Sequence, residues 1–192
     1  MGAHGMVLAA GAGSRMGRPK ALVHDSDGTS WVQHSVDVLR AGGCDAVTVV
    51  LGAGADEAVS LLDGLGVDVV VAHDWSSGMS ASLRAGLASL RSSGADQAVV
   101  SLVDLPDLNA AVVRRVLIEH EREGDEALAR ASYHGRPGHP VVIGRAHWAP
   151  IVDEVSGDTG AKSYLVTHRA ALVECGDLAT GADVDSFEPA AS

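Results

Sequence analysis

A glycine-rich loop with basic residues, directly after an apolar run, is the stretch of this 192-residue chain that is richest in chemistry. Residues 8–20 read Leu-Ala-Ala-Gly-Ala-Gly-Ser-Arg-Met-Gly-Arg-Pro-Lys. Gly11 and Gly13 predict positive φ angles and a close approach of backbone N–H groups to a bound anion. The planar guanidinium of Arg15 can donate paired hydrogen bonds to phosphate oxygens, and the ammonium of Lys20 supplies a localised positive charge. The sequence therefore predicts a phosphate-binding loop after the first strand.

This loop differs from two common phosphate-binding patterns. A Walker A loop needs Gly-Lys followed by Ser or Thr, which is absent here. A dinucleotide fingerprint needs its third glycine three places after the second, and Gly17 comes one place late. That spacing still leaves a nicotinamide dinucleotide open as a ligand. A plain tight turn would account for the glycines but not for Arg15 and Lys20.

Polar residues at three other places could complete a site. Asp104 follows an apolar run, and a carboxylate at a strand end can hold Mg²⁺ or simply form a turn. Ser80 and Ser82 lie where a helix should begin, so their hydroxyls can hydrogen-bond to a nucleotide or cap that helix. His139 lies in a turn predicted at 135–140, where it can face a substrate or bond the backbone.

Short apolar runs that alternate with segments of helical period must position these residues. Such runs are typical of strands buried on both faces, and the intervening helices indicate a mostly parallel sheet. The sequence thus predicts a three-layer α/β fold with one antiparallel strand pair. Strands are predicted at 6–10, 46–51, 67–72, 97–103 and 171–175, with a strand pair at 127–132 and 141–143. Helices are predicted after residue 30, at 56–62, around 79–90, after Asn109 and at 158–166.

Charge and length exclude several classes of partner. The chain has 14 basic and 25 acidic residues, for a net charge of −11. Neither a nucleic acid nor a membrane is therefore an expected partner. No apolar run approaches the roughly 20 residues that span a bilayer, and the first residues lack a basic signal-peptide region. The sequence predicts one domain over 1–192 and a cytoplasmic location.

The loop at 8–20 resembles that of the nucleotidyltransferase superfamily, whose pattern is L-A-[AG]-G-x-G/S-x-R-M-G-x-x-K. Within that superfamily the chain is most similar to the molybdenum-cofactor nucleotidyltransferases, the MobA/MocA-like NTP transferases. The resemblance implies a Rossmann-like fold of the GT-A type and covers nearly the whole chain. Five further stretches match the family in order, at 75–87, 103–106, 135–140, 157–161 and 183–188.

The resemblance implies transfer of a nucleoside monophosphate from an NTP to a phosphorylated acceptor such as molybdopterin, with release of pyrophosphate. The Leu-Ala-Ala-Gly form is similar to members that transfer a cytidylyl group, which favours CTP. The acceptor-binding residues would be His139 and Asp158. The nucleotide-binding residues would be Leu8, Ala9, Ala10, Gly11, Gly13, Arg15, Lys20, Ser80 and Ser82.

The same resemblance assigns catalytic and metal-binding roles. Arg15, Lys20 and Asp104 would be catalytic, with the two cations on the triphosphate. Asp104 and Asp185 would hold Mg²⁺. The chain departs from the family pattern at Leu105, where cytidylyl-transferring members often have Gln.

Two other functions fit the same loop. Some relatives are described as oxidoreductases of the nicotine-blue type, in which a nicotinamide dinucleotide would occupy the nucleotide cleft. A non-catalytic nucleotide-binding protein is the other alternative, favoured by Ser186 and Phe187, which replace the usual Thr and Pro of the last motif.

Overall fold

A computed structural model describes residues 2–184, and in this range seven strands form one sheet. The strands are β1 (Ala3–Ala9), β2 (Ala46–Leu51), β3 (Asp68–Val71), β4 (Gln97–Leu102), β5 (Leu128–Tyr133), β6 (Arg136–Gly144) and β7 (Ala171–Glu174). The α-helices are α1 (Trp31–Ala41), α2 (Ala55–Ala58), α3 (Met79–Ser89), α4 (Ala110–Glu119), α5 (Trp148–Glu154) and α6 (Lys162–Thr167).

The strands lie in the order β3-β2-β1-β4-β6-β5-β7. Strands β1 to β4 are parallel to one another, and β7 is parallel to β5. Strand β6 runs antiparallel to both of its neighbours, β4 and β5. The predicted α/β class, with a mostly parallel sheet and an antiparallel strand pair, is therefore confirmed.

Helices cover both faces of the sheet, which gives the three layers predicted from the sequence. On one face, Val36 and Leu39 of α1 pack with Val113 of α4 in a core of small aliphatic side chains. On the other face, Leu83 of α3 and Ile151 of α5 belong to a second core that also includes α6. Within residues 2–184, none of the helices has the length and apolar character needed to cross a membrane.

Three predicted elements differ from the structure. Strand β3 is at the sheet edge, and Val69 and Val71 are 38% and 37% exposed, although their apolar run predicted burial on both faces. The helix predicted at 56–62 is α2 followed by a 3₁₀ segment, Val59–Leu62. The helix predicted at 158–166 is interrupted because Gly160 has a φ of +54°, so α6 begins only at Lys162.

The turn predicted at 135–140 is shorter than expected. His134 and Gly135 form it, with φ angles of 51° and 78°, and Arg136 already begins β6. The prolines at 137 and 140 misled the prediction, since proline is rare inside sheets. They are tolerated because β4 pairs only with residues 141–144 of β6, so no N–H is needed on that side.

Candidate active site

The loop after β1 folds back on itself at the carboxyl edge of the sheet. The Met16 N–H donates to the Gly13 carbonyl at 2.8 Å, and the Lys20 N–H donates to the Gly11 carbonyl at 3.1 Å. Gly13 has a φ of +59°, and a side chain there would overlap the Arg18 carbonyl oxygen. The positive φ predicted for Gly11 is wrong. A Cβ at Gly11 would lie 3.9 Å from Lys20 Cδ, so the missing side chain widens the space beside that lysine.

Lys20 and Asp104 form an ion pair between Lys20 Nζ and Asp104 Oδ2. The two side chains are only 19% and 8% exposed. They meet because β1 and β4 are neighbouring parallel strands, whose carboxyl ends bring the loop and Asp104 to one edge. A partly desolvated pair of this kind interacts more strongly than a pair in water.

A cavity of about 390 Å³, the first cavity, opens beside this pair. Its lining includes seven of the residues that the sequence predicted for the site: Leu8, Ala10, Gly11, Lys20, Ser82, Asp104 and Asp158. Ala10 lies against Gly52, where an added Cβ would be 2.8 Å from the Ala10 methyl group. The structure therefore gathers the first loop, the end of β4 and the start of α3 around one space.

Several predicted residues lie outside the described lining of this cavity. Ala9 packs into the core on the opposite face, since alternate strand residues point to opposite sides. Ser80 is 1% exposed, and its Oγ has no hydrogen-bond partner among the described residues. Gly13 and the exposed Arg15 stand on the loop, away from the cavity wall. Asp185 lies outside the described residues.

Neither Ser80 nor Ser82 caps α3, so that structural alternative is wrong. The residue before the helix is Gly78, with a φ of +114°. Only a residue without a side chain fits there, because a Cβ would lie 2.5 Å from the Gly157 carbonyl oxygen and against the Asp158 carboxylate. Gly78 thus lets the loop that carries Asp158 close over the start of α3.

A second cavity of about 520 Å³ adjoins the first, and Leu8, Met79 and Asp158 line both. His139 lines the second cavity only, so the predicted acceptor residues His139 and Asp158 share it. The remaining wall is mostly aliphatic. Two adjoining cavities with a common boundary can hold two reactants side by side.

The backbone and ring of His139 are both constrained. Tyr133 Oη donates to the His139 carbonyl oxygen at 2.6 Å. Burial and the nearby Arg130 charge lower the pKa of His139 to about 4. The imidazole is therefore neutral at pH 7, and it faces the cavity as a hydrogen-bonding group and not as a cation.

Sequence reasoning missed further residues in both cavities. Trp75 and Ser76 line the first cavity, and Arg130 and Lys162 line the second. For Trp75 and Arg130 the sequence does contain a signal. A tryptophan beside a glycine-rich helix start stands out in a chain with 3% aromatic residues, and Arg130 is a charge inside an otherwise apolar strand.

Residues 176–184, here called the C-terminal strap, run along the segment that follows Asp104. Asn109 Nδ2 donates to the Leu178 carbonyl at 2.9 Å, and the Thr180 N–H and hydroxyl both donate to Asp107 Oδ2 at 2.6 Å. The Val184 N–H donates to the Asp104 carbonyl at 3.0 Å. The strap thus fixes the backbone that presents the Asp104 carboxylate.

We expect Gly78→Ala to destabilise the protein and to push Asp158 away from α3. A side chain at this φ costs about 1–3 kcal/mol, and the overlap with the 157–158 backbone adds to that cost. Thermal unfolding should show it, at about 2–4 °C per kcal/mol for a chain of this size. Gly94→Ala is the matched control, since a Cβ there meets no atom within 4 Å. Equal melting temperatures for the two variants would contradict this account of Gly78.

The arrangement suits chemistry on phosphate groups. Lys20 and the loop N–H groups can neutralise phosphate oxygens where charge develops. Within residues 2–184, no three His, Cys, Asp or Glu side chains come together as a ready metal site. Asp104 alone fits a cation that takes its other ligands from a substrate, which is how Mg²⁺ commonly binds with nucleotides.

Comparison with known proteins agrees with this geometry. The MobA-like NTP transferase domain matches residues 5–172. The nicotine blue oxidoreductase of Paenarthrobacter nicotinovorans is 38% identical over 191 residues, covering 96% of this chain and 92% of that protein.

Solved structures show the same fold. The Rv0371c homologue from Mycobacterium sp. strain JC1 has a TM-score of 0.80 and 27% identity, over 96% of this chain and 90% of that one. Rv0371c of Mycobacterium tuberculosis H37Rv, in complex with manganese, has a TM-score of 0.71 and 31% identity, over 91% and 88% of the two chains. Since the family model covers most of the chain, this protein belongs to the MobA-like NTP transferase family and has a nucleotidyltransferase domain.

Proposed function

We propose that this protein moves a nucleoside monophosphate from CTP to a phosphorylated small-molecule acceptor, of which molybdopterin is one example, and releases pyrophosphate. The observation that carries the proposal is the pair of adjoining cavities. The first has the Lys20–Asp104 pair and the glycine-rich loop, which suit a triphosphate. The second has His139 and an aliphatic wall, which suit a different molecule.

In this proposal the residues of the chain position the reactants and neutralise charge. The acceptor phosphate lies near the shared boundary at Leu8, Met79 and Asp158 and attacks the α-phosphorus of the nucleotide. A phosphate is already an anion at pH 7, so the step requires no general base. Lys20 stabilises the charge that develops on the leaving pyrophosphate, and Arg15 approaches the triphosphate from the loop.

Mg²⁺ is the cofactor we propose, with Asp104 and Asp185 as its protein ligands. Asp104 fits this role because its carboxylate lines the first cavity at a strand end. Asp185 follows Val184, whose N–H donates to the Asp104 carbonyl. When bound, the cation would offset the negative charge of the phosphate groups. The related Rv0371c protein was crystallised with manganese, a cation with similar oxygen ligands.

The base preference should depend on Ala10. Its methyl group lines the first cavity and packs against Gly52, which narrows the space beside a bound base. One methyl group in a pocket is worth about 1–3 kcal/mol, so we expect CTP to be preferred over GTP by roughly 10- to 200-fold. Ala10→Gly should reduce this ratio.

Competition between CTP and GTP in one reaction measures that preference. Ala88→Gly, an exposed position on α3, controls for the loss of a methyl group elsewhere. A wild-type protein that used GTP at least as well as CTP would remove Ala10 as a determinant of base choice.

A second candidate function is NAD(P)H-dependent reduction of a dye-like substrate. The observation that favours it is the 38% identity to nicotine blue oxidoreductase over nearly the whole chain. The first cavity would then hold the nicotinamide dinucleotide, with its pyrophosphate on the glycine-rich loop.

Two parallel assays distinguish these functions. Purified protein with Mg²⁺, molybdopterin and each NTP is assayed for pyrophosphate, and protein with nicotine blue is assayed for loss of NAD(P)H absorbance. Pyrophosphate release that depends on both NTP and molybdopterin supports the transfer reaction. NAD(P)H consumption without pyrophosphate would overturn it, and NTP binding without either reaction would indicate a non-catalytic binding protein. We also propose a cytoplasmic location, where NTPs are abundant.

A further inference from the structure

The second cavity contains a charge that the proposed transfer reaction leaves without a role. Arg130 is half-buried in β5, where Leu128, two residues earlier, points into the apolar core on the same face of the sheet. Placing an arginine among core-facing apolar side chains costs desolvation free energy, and burial lowers the pKa of Arg130. A charge kept at a core-facing position needs a compensating partner.

That partner is not a carboxylate of the described part of the chain. Arg130 forms no ion pair there, and its hydrogen bonds go from Nε and Nη2 to the carbonyl oxygen of Gly138, at 3.2 and 3.1 Å. A guanidinium has five N–H donors, so three remain after these two bonds. The hydrogen bonds to Gly138 hold one edge of the guanidinium in place, and its other edge can face the cavity.

The other polar groups of the second cavity do not replace Arg130 as the anion site. His139 is neutral at pH 7, because burial and the Arg130 charge lower its pKa to about 4. Lys162 is exposed at the start of α6, and Asp158 is exposed at the boundary with the first cavity. The remaining wall of the cavity is mostly aliphatic and includes Leu83, Val141 and Leu165.

The sheet order sets the distance between the two ends of this cavity. Leu8 belongs to β1, Gly138 belongs to β6, and only β4 lies between these strands. Strands lie ~4.8 Å apart, so the part of β6 that pairs with β4 is about 10 Å from β1. Gly138, which anchors the guanidinium, comes shortly before that part. In the proposed reaction the attacking phosphate lies at the Leu8 end, which leaves Arg130 to hold a different group of the acceptor.

We propose that the acceptor carries a second anionic group, a carboxylate or a phosphate, at two strand spacings, on the order of 10 Å, from its reacting phosphate, and that Arg130 binds this group across an apolar middle section. This inference rests on the proposed transfer reaction for the position of the reacting phosphate. Among phosphorylated acceptors it favours elongated molecules with two anionic ends and an aliphatic or aromatic body over molybdopterin, whose phosphate is its one group of this kind.

Three aromatic probes test the proposal by calorimetric titration. They are 6-carboxy-2-naphthyl phosphate and naphthalene-2,6-diyl bisphosphate, whose anionic groups are about two strand spacings apart, and 2-naphthyl phosphate, which lacks the second anionic group. Each is titrated with and without Mg²⁺ and a CTP analogue whose α- and β-phosphates are joined by a methylene group. We expect one or both two-ended probes to bind about 10- to 100-fold more tightly than 2-naphthyl phosphate, since a charge-assisted bidentate contact is added. The better of the two identifies the second group as carboxylate or phosphate.

Variants test whether Arg130 causes the difference in affinity between the two-ended and one-ended probes. The preference for a two-ended probe should disappear in Arg130→Met and be partly retained in Arg130→Lys. Arg114→Met, on an exposed position of α4, should keep the wild-type preference. If Arg130→Met fails to fold, the wild-type ratios and Arg130→Lys decide the outcome.

Two results would overturn the inference. One is equal affinity, within threefold, of wild-type protein for 2-naphthyl phosphate and both two-ended probes, including no measurable binding of any. The other is a preference that persists in Arg130→Met. Failure of the CTP analogue to bind, with the Arg130-dependent preference intact, would instead count against the proposed transfer reaction alone.

Discussion

Replacement of Lys20 by alanine should lower turnover by about 100-fold or more while the fold is retained. Lys20 Nζ is the charged donor of the first cavity, and its pairing with Asp104 holds it beside the space for the triphosphate. Removing a charge that is aimed at a developing anion costs ~10²- to 10³-fold in rate. The effect should fall on kcat more than on KM, because the leaving pyrophosphate gains charge only in the transition state.

Steady-state pyrophosphate release measures this effect. Lys20→Arg keeps the charge but changes its geometry, so we expect intermediate activity. Arg122→Ala, an exposed cation far along the chain, controls for the change in net charge. Near-full activity of Lys20→Ala would mean that the loop does not hold the reacting phosphates.

Asp104→Asn should remove the dependence of nucleotide binding on Mg²⁺ and lower turnover by about 10³-fold. The amide keeps the shape of the side chain but lacks the charge that a cation needs, and metal neutralisation of phosphate charge is worth several kcal/mol. We also expect lower stability, by about 1–3 kcal/mol, because a partly buried ion pair loses one of its charges.

Calorimetric titration of CTP with and without Mg²⁺ separates the binding effect from catalysis. Asp37→Asn, on the exposed side of α1, is the matched control. Unchanged Mg²⁺-dependent affinity in Asp104→Asn would exclude Asp104 as a metal ligand.

The meeting of Lys20 and Asp104 could be predicted because it depends on a general property of parallel sheets. Two apolar runs, each followed by a polar residue, place those residues at one edge whatever the details of packing. The exposure of β3 could not be predicted in the same way. Its apolar run has the composition of a central strand, and the sheet order that puts it at the edge is set by contacts distant in sequence.

Within the site, local spacing predicted which segments converge but not which side chains face the cavity. The resemblance treated 8–20 as one unit, whereas strand alternation turns Leu8 toward the cavity and Ala9 toward the opposite core. Arg130 escaped prediction because β5 reaches the site only through β6, which lies between it and β4. A charge inside an apolar strand marks Arg130 as unusual, but no pattern near residue 130 indicates which strand lies next to it.

The C-terminal strap has a consequence for how the protein is made. The first loop precedes the strap by most of the sequence, yet the backbone behind Asp104 is held by Val184 and the side chain of Asp107 by Thr180. A nascent chain therefore carries its phosphate loop long before the strap can fix the backbone that presents Asp104. We expect a ribosome stalled before residue 176 to present the loop without that support. Nucleotide affinity should consequently report on synthesis of the strap, and not on the folding of the amino-terminal half alone.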